Sequence, residues 1–258
     1  MPQSEWSTVD AATEPRRLLS GLDALRAEPF FAESKARIAA LLADARRTHV
    51  LDVGCGTGED AIALGQAAFG VERSVVMCTE GRARNADFPL VVADGTALPI
   101  RDASVDTVRA DRVLQHLPDA PAALHEWRRV LRAGGHVITF DPDLTTASVV
   151  GVDKLSASSV LDWRVSTRPG AATVCNLREA LAGAGFVDVH IEPRQLDLTD
   201  LDRADGIMGL ATWAHAAANA GLLSPAAAAQ WSDDVRAASR RGALRYRCTY
   251  LLAFATAG

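Results

Sequence analysis

Val50-Leu-Asp-Val-Gly-Cys-Gly-Thr-Gly58 is the stretch that decides the fold. The run His49–Val53 is short, apolar and rich in valine, which suits a buried strand. Gly54, Gly56 and Gly58 follow at alternate positions, and helical sequence begins at Glu59 and continues to Ala68. A glycine turn between strand and helix lets a ligand approach the backbone closely. The helix start then offers free N–H groups. The third glycine falls one residue too early for the dinucleotide fingerprint. Asp52, just before the turn, would repel a pyrophosphate and would suit a cationic ligand. The plain alternative is a structural tight turn.

Working outward, Met1–Glu14 reads as a loosely packed lead-in, followed by amphipathic helices at Arg16–Ala27 and Phe30–Ala45. In the second helix Phe31, Ile38, Leu41 and Leu42 recur at helical spacing. Downstream, strands are expected at Ser74–Thr79, ending at Glu80, and at Pro89–Ala93, ending at Asp94. So few residues separate Glu80 from Asp94 that the intervening helix must be short or missing. A fourth strand is expected at Asp106–Ala110. Asp119 and Pro121 start a helix whose apolar face is Leu124, Trp127, Val130 and Leu131, and Gly134-Gly135 ends it. The fifth strand is His136–Phe140, and Leu144–Thr173 reads as irregular. A helix at Cys175–Ala184, a strand at Val187–Glu192, helices over Asp200–Arg241 and a final strand at Leu244–Thr256 complete the order. Ser224-Pro225 marks a helix start inside the long helical segment. Strands alternating with helices imply a mostly parallel sheet covered on both faces.

Composition narrows the function. The 258 residues carry a net charge of −5, a pI near 5.7 and 48% hydrophobic residues. That supports one large core and shows none of the basic stripe of a nucleic-acid binder. Arginine pairs such as Arg128-Arg129 and Arg240-Arg241 read as solvated helix faces. Cys55, Cys78, Cys175 and Cys248 lie far apart without metal-ligand spacing, so neither a metal site nor a disulfide framework is expected. No secretion signal is evident, and the uncharged stretch Gly206–Ser232 is too polar to span a bilayer. A cytoplasmic protein without membrane or nucleic-acid partners is the expectation. The sequence does not decide the oligomeric state.

Val50–Gly58 resembles motif I of class I S-adenosylmethionine-dependent methyltransferases, and later motifs follow that family in order. The resemblance covers about residues 15 to 258 and is strongest from 49 to 143. It implies a Rossmann-like seven-stranded, mostly parallel sheet of order 3-2-1-4-5-7-6 with helical cap elements, and S-adenosylmethionine as cofactor. Asp52, Gly54, Cys55, Gly56 and Gly58 would form the cofactor turn. Glu80 resembles the acid, ending the second strand, that accepts from both ribose hydroxyls. Asp94, followed by Gly95, resembles the acceptor of the adenine amino group. The segment Ala110–Asp119, with Asp111 and Arg112, resembles the wall of the methionine end and the substrate mouth. Leu131-Arg-Ala-Gly-Gly135 looks like the family's turn into the fifth strand.

His116 follows the fourth strand at the sheet edge where ligands bind in this fold class. Two roles fit it: a general base, since an ordinary imidazole titrates near neutrality, or packing beneath the cofactor. Asp141 and Asp143 end the fifth strand at the same edge and are candidate substrate contacts or simple loop acids. Trp163 and Trp213 lie where the family commonly builds a substrate cap, with packing as the alternative. Residues 1–45 would cover the site, and residues 46–258 would form the cofactor domain with a helical insertion at about 200–241. The reading is methyl transfer to a small, apolar molecule, plausible for secondary metabolism, with oxygen ahead of nitrogen and carbon as acceptor. The rivals are a cyclase or other non-methylating enzyme on this fold, and a non-catalytic cofactor-binding partner.

Overall fold

The computed structural model describes residues 9–10, 15–44, 49–65 and 68–258, with the side chains of 15–20 and 44 excepted. The lead-in expected at Met1–Glu14 therefore lies, but for Val9 and Asp10, outside the described residues. Strand β1 (Val50–Val53) is buried throughout, as an apolar strand covered on both faces should be. It pairs in parallel with β2 (Ala68–Glu72) and β4 (Val105–Asp111). Beyond them lie β3 (Leu90–Val92), next to β2, and β5 (Leu131–Val150), next to β4. The last strand, β7 (Arg245–Ala257), runs antiparallel between β5 and β6 (Phe186–Leu198). The order is 3-2-1-4-5-7-6, as the sequence implies.

Strand alternation splits the core into two layers. On one face Ile138, Phe140, Tyr246 and Tyr250 pack with Phe31 and Ile38 of α2 (Pro29–Asp44), and with Val160 and Trp163 of α6 (Lys154–Ser166). On the other, Leu51, Val108 and Val137 meet Leu124 and Trp127 of α5 (Ala120–Val130) and Leu181 of α8 (Leu177–Gly183). Full burial of each such side chain contributes about 1.5–3 kcal/mol. Helix α1 (Pro15–Ala27) precedes α2. Among the described residues, no helix is long and apolar enough to cross a membrane.

The second strand departs from expectation. The helix after the glycine turn, α3 (Glu59–Ile62), is a single turn instead of running to Ala68, which already lies in β2. Gly70 hides this strand in the sequence, because glycine disfavours strands. It is required there: a Cβ would stand 2.5 Å from the Cys55 Sγ. The valine-rich stretch read as a strand is instead a ten-residue helix, α4 (Val75–Arg84). Ser74 caps it by accepting from the Met77 N–H, a local bond that overrides the strand preference of Val75 and Val76. The helix between the second and third strands is therefore present.

The segment read as irregular is also ordered. Strand β5 continues past Pro142 to Val150 across an irregularity between Asp143 and Ser148. Asp153 then caps α6, and α7 (Ala171–Cys175) follows. Strand β6 outruns its expected end through Pro193, which an edge strand tolerates. The helical insertion consists of α9 (Leu201–Met208), a 3-10 turn at Leu210–Thr212, α10 (Trp213–Asn219) and α11 (Pro225–Arg240). Its halves are joined by the Trp231 indole donating to the Leu210 carbonyl at 3.0 Å. Arg203 pairs with Glu28, tying α9 to the corner between α1 and α2.

Candidate active site

A cavity of about 720 Å³ opens at the carboxyl ends of the parallel strands. Gly54 and Gly56 of the glycine turn line it, and these two and Gly58 all have positive φ. Only glycine adopts this conformation without strain. Gly56 lines the cavity, and among the described residues a Cβ there would meet only Leu22, at 3.8 Å. A ligand can therefore lie directly on this peptide.

Glu72 ends β2 and lines the cavity. Its carboxylate accepts from the Gly56 N–H at 3.0 Å and the Ser74 N–H at 2.9 Å. Burial pushes its pKa up, and these bonds hold it down. Ser74 also donates to Asp10, whose carboxylate takes the Val75 and Val76 N–H groups at 3.1 Å each. A hydrogen-bonded chain thus runs from Asp10 through Ser74 and Glu72 to the glycine turn. Asp94, just past β3, accepts from the backbone and hydroxyl of Thr96, and the former bond holds its pKa down most. Gly95 turns its carbonyl to the Trp127 indole, 2.9 Å away.

The centre of the site is a buried charge cluster. Arg109 of β4 lies opposite Asp52 of β1 in the sheet. It also binds Asp111 at 2.8 Å, and Asp111 in turn accepts from Arg112 at 3.0 Å. Burial pushes Asp52 up to about 6 against the pull of Arg109. Arg112 is held at φ +60, strained for a side-chain-bearing residue. Its N–H binds the Phe140 carbonyl at 2.7 Å and its guanidinium lies 5.3 Å from the Phe31 ring centroid.

His116 ends a 3-10 turn at Leu114–His116. Asp141 holds that turn by accepting the Gln115 N–H at 3.2 Å, and the Gln115 carbonyl accepts from Gly170. His116 is driven well below its usual pKa by burial and then by Arg168, Arg164 and Arg112. A neutral ring that resists protonation is a poor collector of protons near pH 7.

The cavity gathers Asp52, Gly54, Cys55, Gly56, Asp94, Gly95, Asp111, Arg112, His116, Trp163 and Trp213 from the sequence expectation. Four expected residues stand outside its lining. Glu80 sits on α4, 38% exposed and paired with Arg84, because the strand it was thought to end is a helix. Gly58 caps α3 and packs by Phe88. Asp141 is fully buried beneath the 3-10 turn. Asp143 closes a turn by accepting from Thr145. Sequence reading missed Glu72, Arg109, Arg164 and Arg168. The signal for Glu72 was a helix-capping serine two residues later, which fixes the strand end.

Residues 51–139 match the family described as a methyltransferase domain. A 37.1 kDa protein in a transposon of Streptomyces fradiae is 33% identical over 246 residues, covering 90% of this chain and 65% of the relative. Demethylmenaquinone methyltransferase of Staphylococcus aureus is 36% identical over 111 residues, covering 40% of this chain and 46% of the relative. The chain thus spans less than two thirds of the length of either. A phosphoethanolamine N-methyltransferase of Haemonchus contortus shares the fold at a TM-score of 0.55 and 16% identity, covering 96% of this chain and 60% of that one. The cyclase SpnF does so at 0.51 and 20%, covering 98% of each chain. Residues 51–139 are thus similar to a methyltransferase domain, and the chain has the fold of these solved structures. Two Haemonchus contortus structures of the phosphoethanolamine N-methyltransferase hold S-adenosylhomocysteine and S-adenosyl-L-methionine.

Proposed function

We propose that this chain transfers a methyl group from S-adenosylmethionine to a hydroxyl of a small acceptor. The observation that carries the reading is the open glycine cradle at Gly56, flanked in one cavity by the carboxylates of Glu72 and Asp94. These residues fit the cofactor: a peptide free for close approach, an acid suited to paired ribose hydroxyls, and an acceptor for the adenine amine. Asp111 and Arg112 line the same cavity and would take the methionine end. When bound, the cofactor supplies an electrophilic methyl on a positively charged sulfur, which keeps the bonding electrons as the methyl leaves.

The protein's own contribution is alignment and exclusion of water. Trp163, Trp213, Tyr246 and Tyr250 give the acceptor side an aromatic wall. Arg112, Arg164 and Arg168 disfavour a permanently cationic acceptor beside His116. His116 shapes this wall in its neutral form. Residues of α1, α9 and α10 also line the cavity, which supports reading them as a cap over it.

Calorimetric titration with S-adenosylmethionine, followed by a screen of hydroxylated small molecules for S-adenosylhomocysteine release, tests the proposal. Binding together with release from a hydroxylated acceptor is the expected result. Failure to bind overturns it. Binding without release from any acceptor would point to a non-methylating reaction on the same fold.

A further inference from the structure

Two polar side chains of the cavity lining are left open by the fold. Gln115 and Tyr250 are 6% and 7% exposed, and both line the cavity. Among the described residues, neither the Gln115 side-chain amide nor the Tyr250 hydroxyl has a hydrogen-bond partner. Neither polar end is among the fully enclosed side-chain atoms that lack a partner. Each therefore reaches open space, and the space that these residues line is the cavity. Polar groups in protein interiors are almost always paired, with protein, solvent or ligand. Ligand cavities characteristically set a few such groups in an apolar wall to fix what binds.

Both residues are held by contacts that spare the polar end. Gln115 is pinned through its backbone: its N–H donates to Asp141 Oδ1 at 3.2 Å, and its carbonyl accepts from the Gly170 N–H at 3.1 Å. Tyr250, on β7, is pinned through its ring. The ring centroid lies 5.2, 5.4 and 5.1 Å from those of Phe30, Phe31 and Phe140. Side chains fixed in this way lose little freedom when a ligand binds. Burial pushes the Tyr250 phenol up, so it keeps its proton and can donate.

The chemistry of the two groups narrows the ligand. An amide offers a donor and an acceptor, and its oxygen needs a proton donor from the ligand. A bare carboxylate or an ether has none to give. A phenol that donates needs an oxygen to receive the bond. Trp163, Trp213 and Tyr246 line the same cavity and offer flat apolar surface to a ring. We propose that Gln115 and Tyr250 select the methyl acceptor, an uncharged aromatic compound whose hydroxyl donates to the Gln115 amide and whose second oxygen accepts from the Tyr250 hydroxyl. This rests on the methyl-transfer reading and adds the acceptor's class and the residues that choose it.

The experiment uses the full chain saturated with S-adenosylhomocysteine, slightly below neutrality so that the phenols stay uncharged. Calorimetry compares 4-hydroxyacetophenone with 4-methylacetophenone, and 7-hydroxycoumarin with coumarin, for the hydroxyl. It compares 4-hydroxyacetophenone with 4-ethylphenol for the second oxygen. At least one hydroxylated compound should bind about ten-fold more tightly than its partner without the hydroxyl, and 4-hydroxyacetophenone should outbind 4-ethylphenol. Gln115→Met should remove most of the hydroxyl preference, and Tyr250→Phe most of the preference for the second oxygen. Both variants keep the side chain's bulk and lose no bond within the protein. Their S-adenosylhomocysteine affinity should therefore be unchanged and their melting temperature unchanged or higher. If no hydroxylated compound outbinds its partner, or the preferences survive both variants, the proposal is overturned. Tighter binding of 4-hydroxybenzoate than of 4-hydroxyacetophenone also overturns it, since the ligand class would then be anionic. So does loss of S-adenosylhomocysteine affinity in the variants, because the two groups would then serve the cofactor. Failure of wild type to bind S-adenosylmethionine or S-adenosylhomocysteine would sink the underlying reading instead.

Discussion

Arg109 sets a single nitrogen 2.8 Å from both carboxylate oxygens of Asp52 on the neighbouring strand, with both residues almost fully buried. The pair locks β1 to β4 directly beneath the glycine turn. Removing one partner leaves a buried charge uncompensated, which typically costs about 3–5 kcal/mol. Arg109→Met should lower unfolding free energy by about that amount in urea titrations, and adding Asp52→Asn should recover part of it. A single variant as stable as wild type would mean that the pair adds no net stability.

Gly56 and Gly65 both have positive φ, but only Gly56 lines the cavity. Gly56→Val should lose S-adenosylmethionine affinity by well over about ten-fold, from backbone strain and blocked approach together. Gly65→Ala has open space around its Cβ and should lose only stability, about 1–2 kcal/mol, with affinity unchanged. Equal affinity loss in both variants would assign the effect to general strain.

Glu72→Gln should weaken S-adenosylmethionine binding by about 1–3 kcal/mol, because a carboxylate with two backbone donors is replaced by a neutral amide. Glu80→Gln should bind normally, since Glu80 sits on an exposed helix face. Calorimetry on the two variants separates the residue at the strand end from the residue that sequence spacing suggested. The reverse ranking would displace Glu72 from the cofactor site.

His116 gives a pH signature. In the unfolded chain it titrates near 6.5, whereas in the fold burial and then Arg168, Arg164 and Arg112 keep it neutral well below that. The unfolded state therefore binds more protons as pH falls below 6.5. The stability contributed by this residue is complete above 6.5 and declines below it, by up to about 1.4 kcal/mol per pH unit. Paired denaturation curves of wild type and His116→Asn between pH 5 and 7 should show this slope only in wild type. Parallel slopes would place the imidazole in a more solvated setting.

The fold was legible because its strongest signals are local. Val50–Gly58 encodes strand and turn, and Asp119 with Pro121 and Ser224 with Pro225 encode helix starts that all form as read. Glu72 was obscured because two local preferences mislead together: Gly70 weakens a real strand, while Val75 and Val76 imitate one inside a helix. Arg109, Arg164 and Arg168 were obscured for a different reason. Their partners are distant in sequence, as Asp52 is from Arg109 and Trp213 is from Arg164, so only tertiary packing reveals their setting. Asp141 and Asp143 look alike in sequence, yet one supports a turn from below and the other closes a loop.

The chain of bonds from Asp10 to Gly56 has a practical side for protein production. Asp10 grips the head of α4, Ser74 passes the contact to Glu72, and Glu72 holds the peptide on which a nucleoside would rest. A tag, leader or trimming event that disturbs the residues ahead of α1 would act on this peptide at a distance while the core stays intact. Such preparations would look well folded by circular dichroism and still differ in ligand uptake. Expression designs are therefore better ranked by ligand-induced thermal shift than by yield.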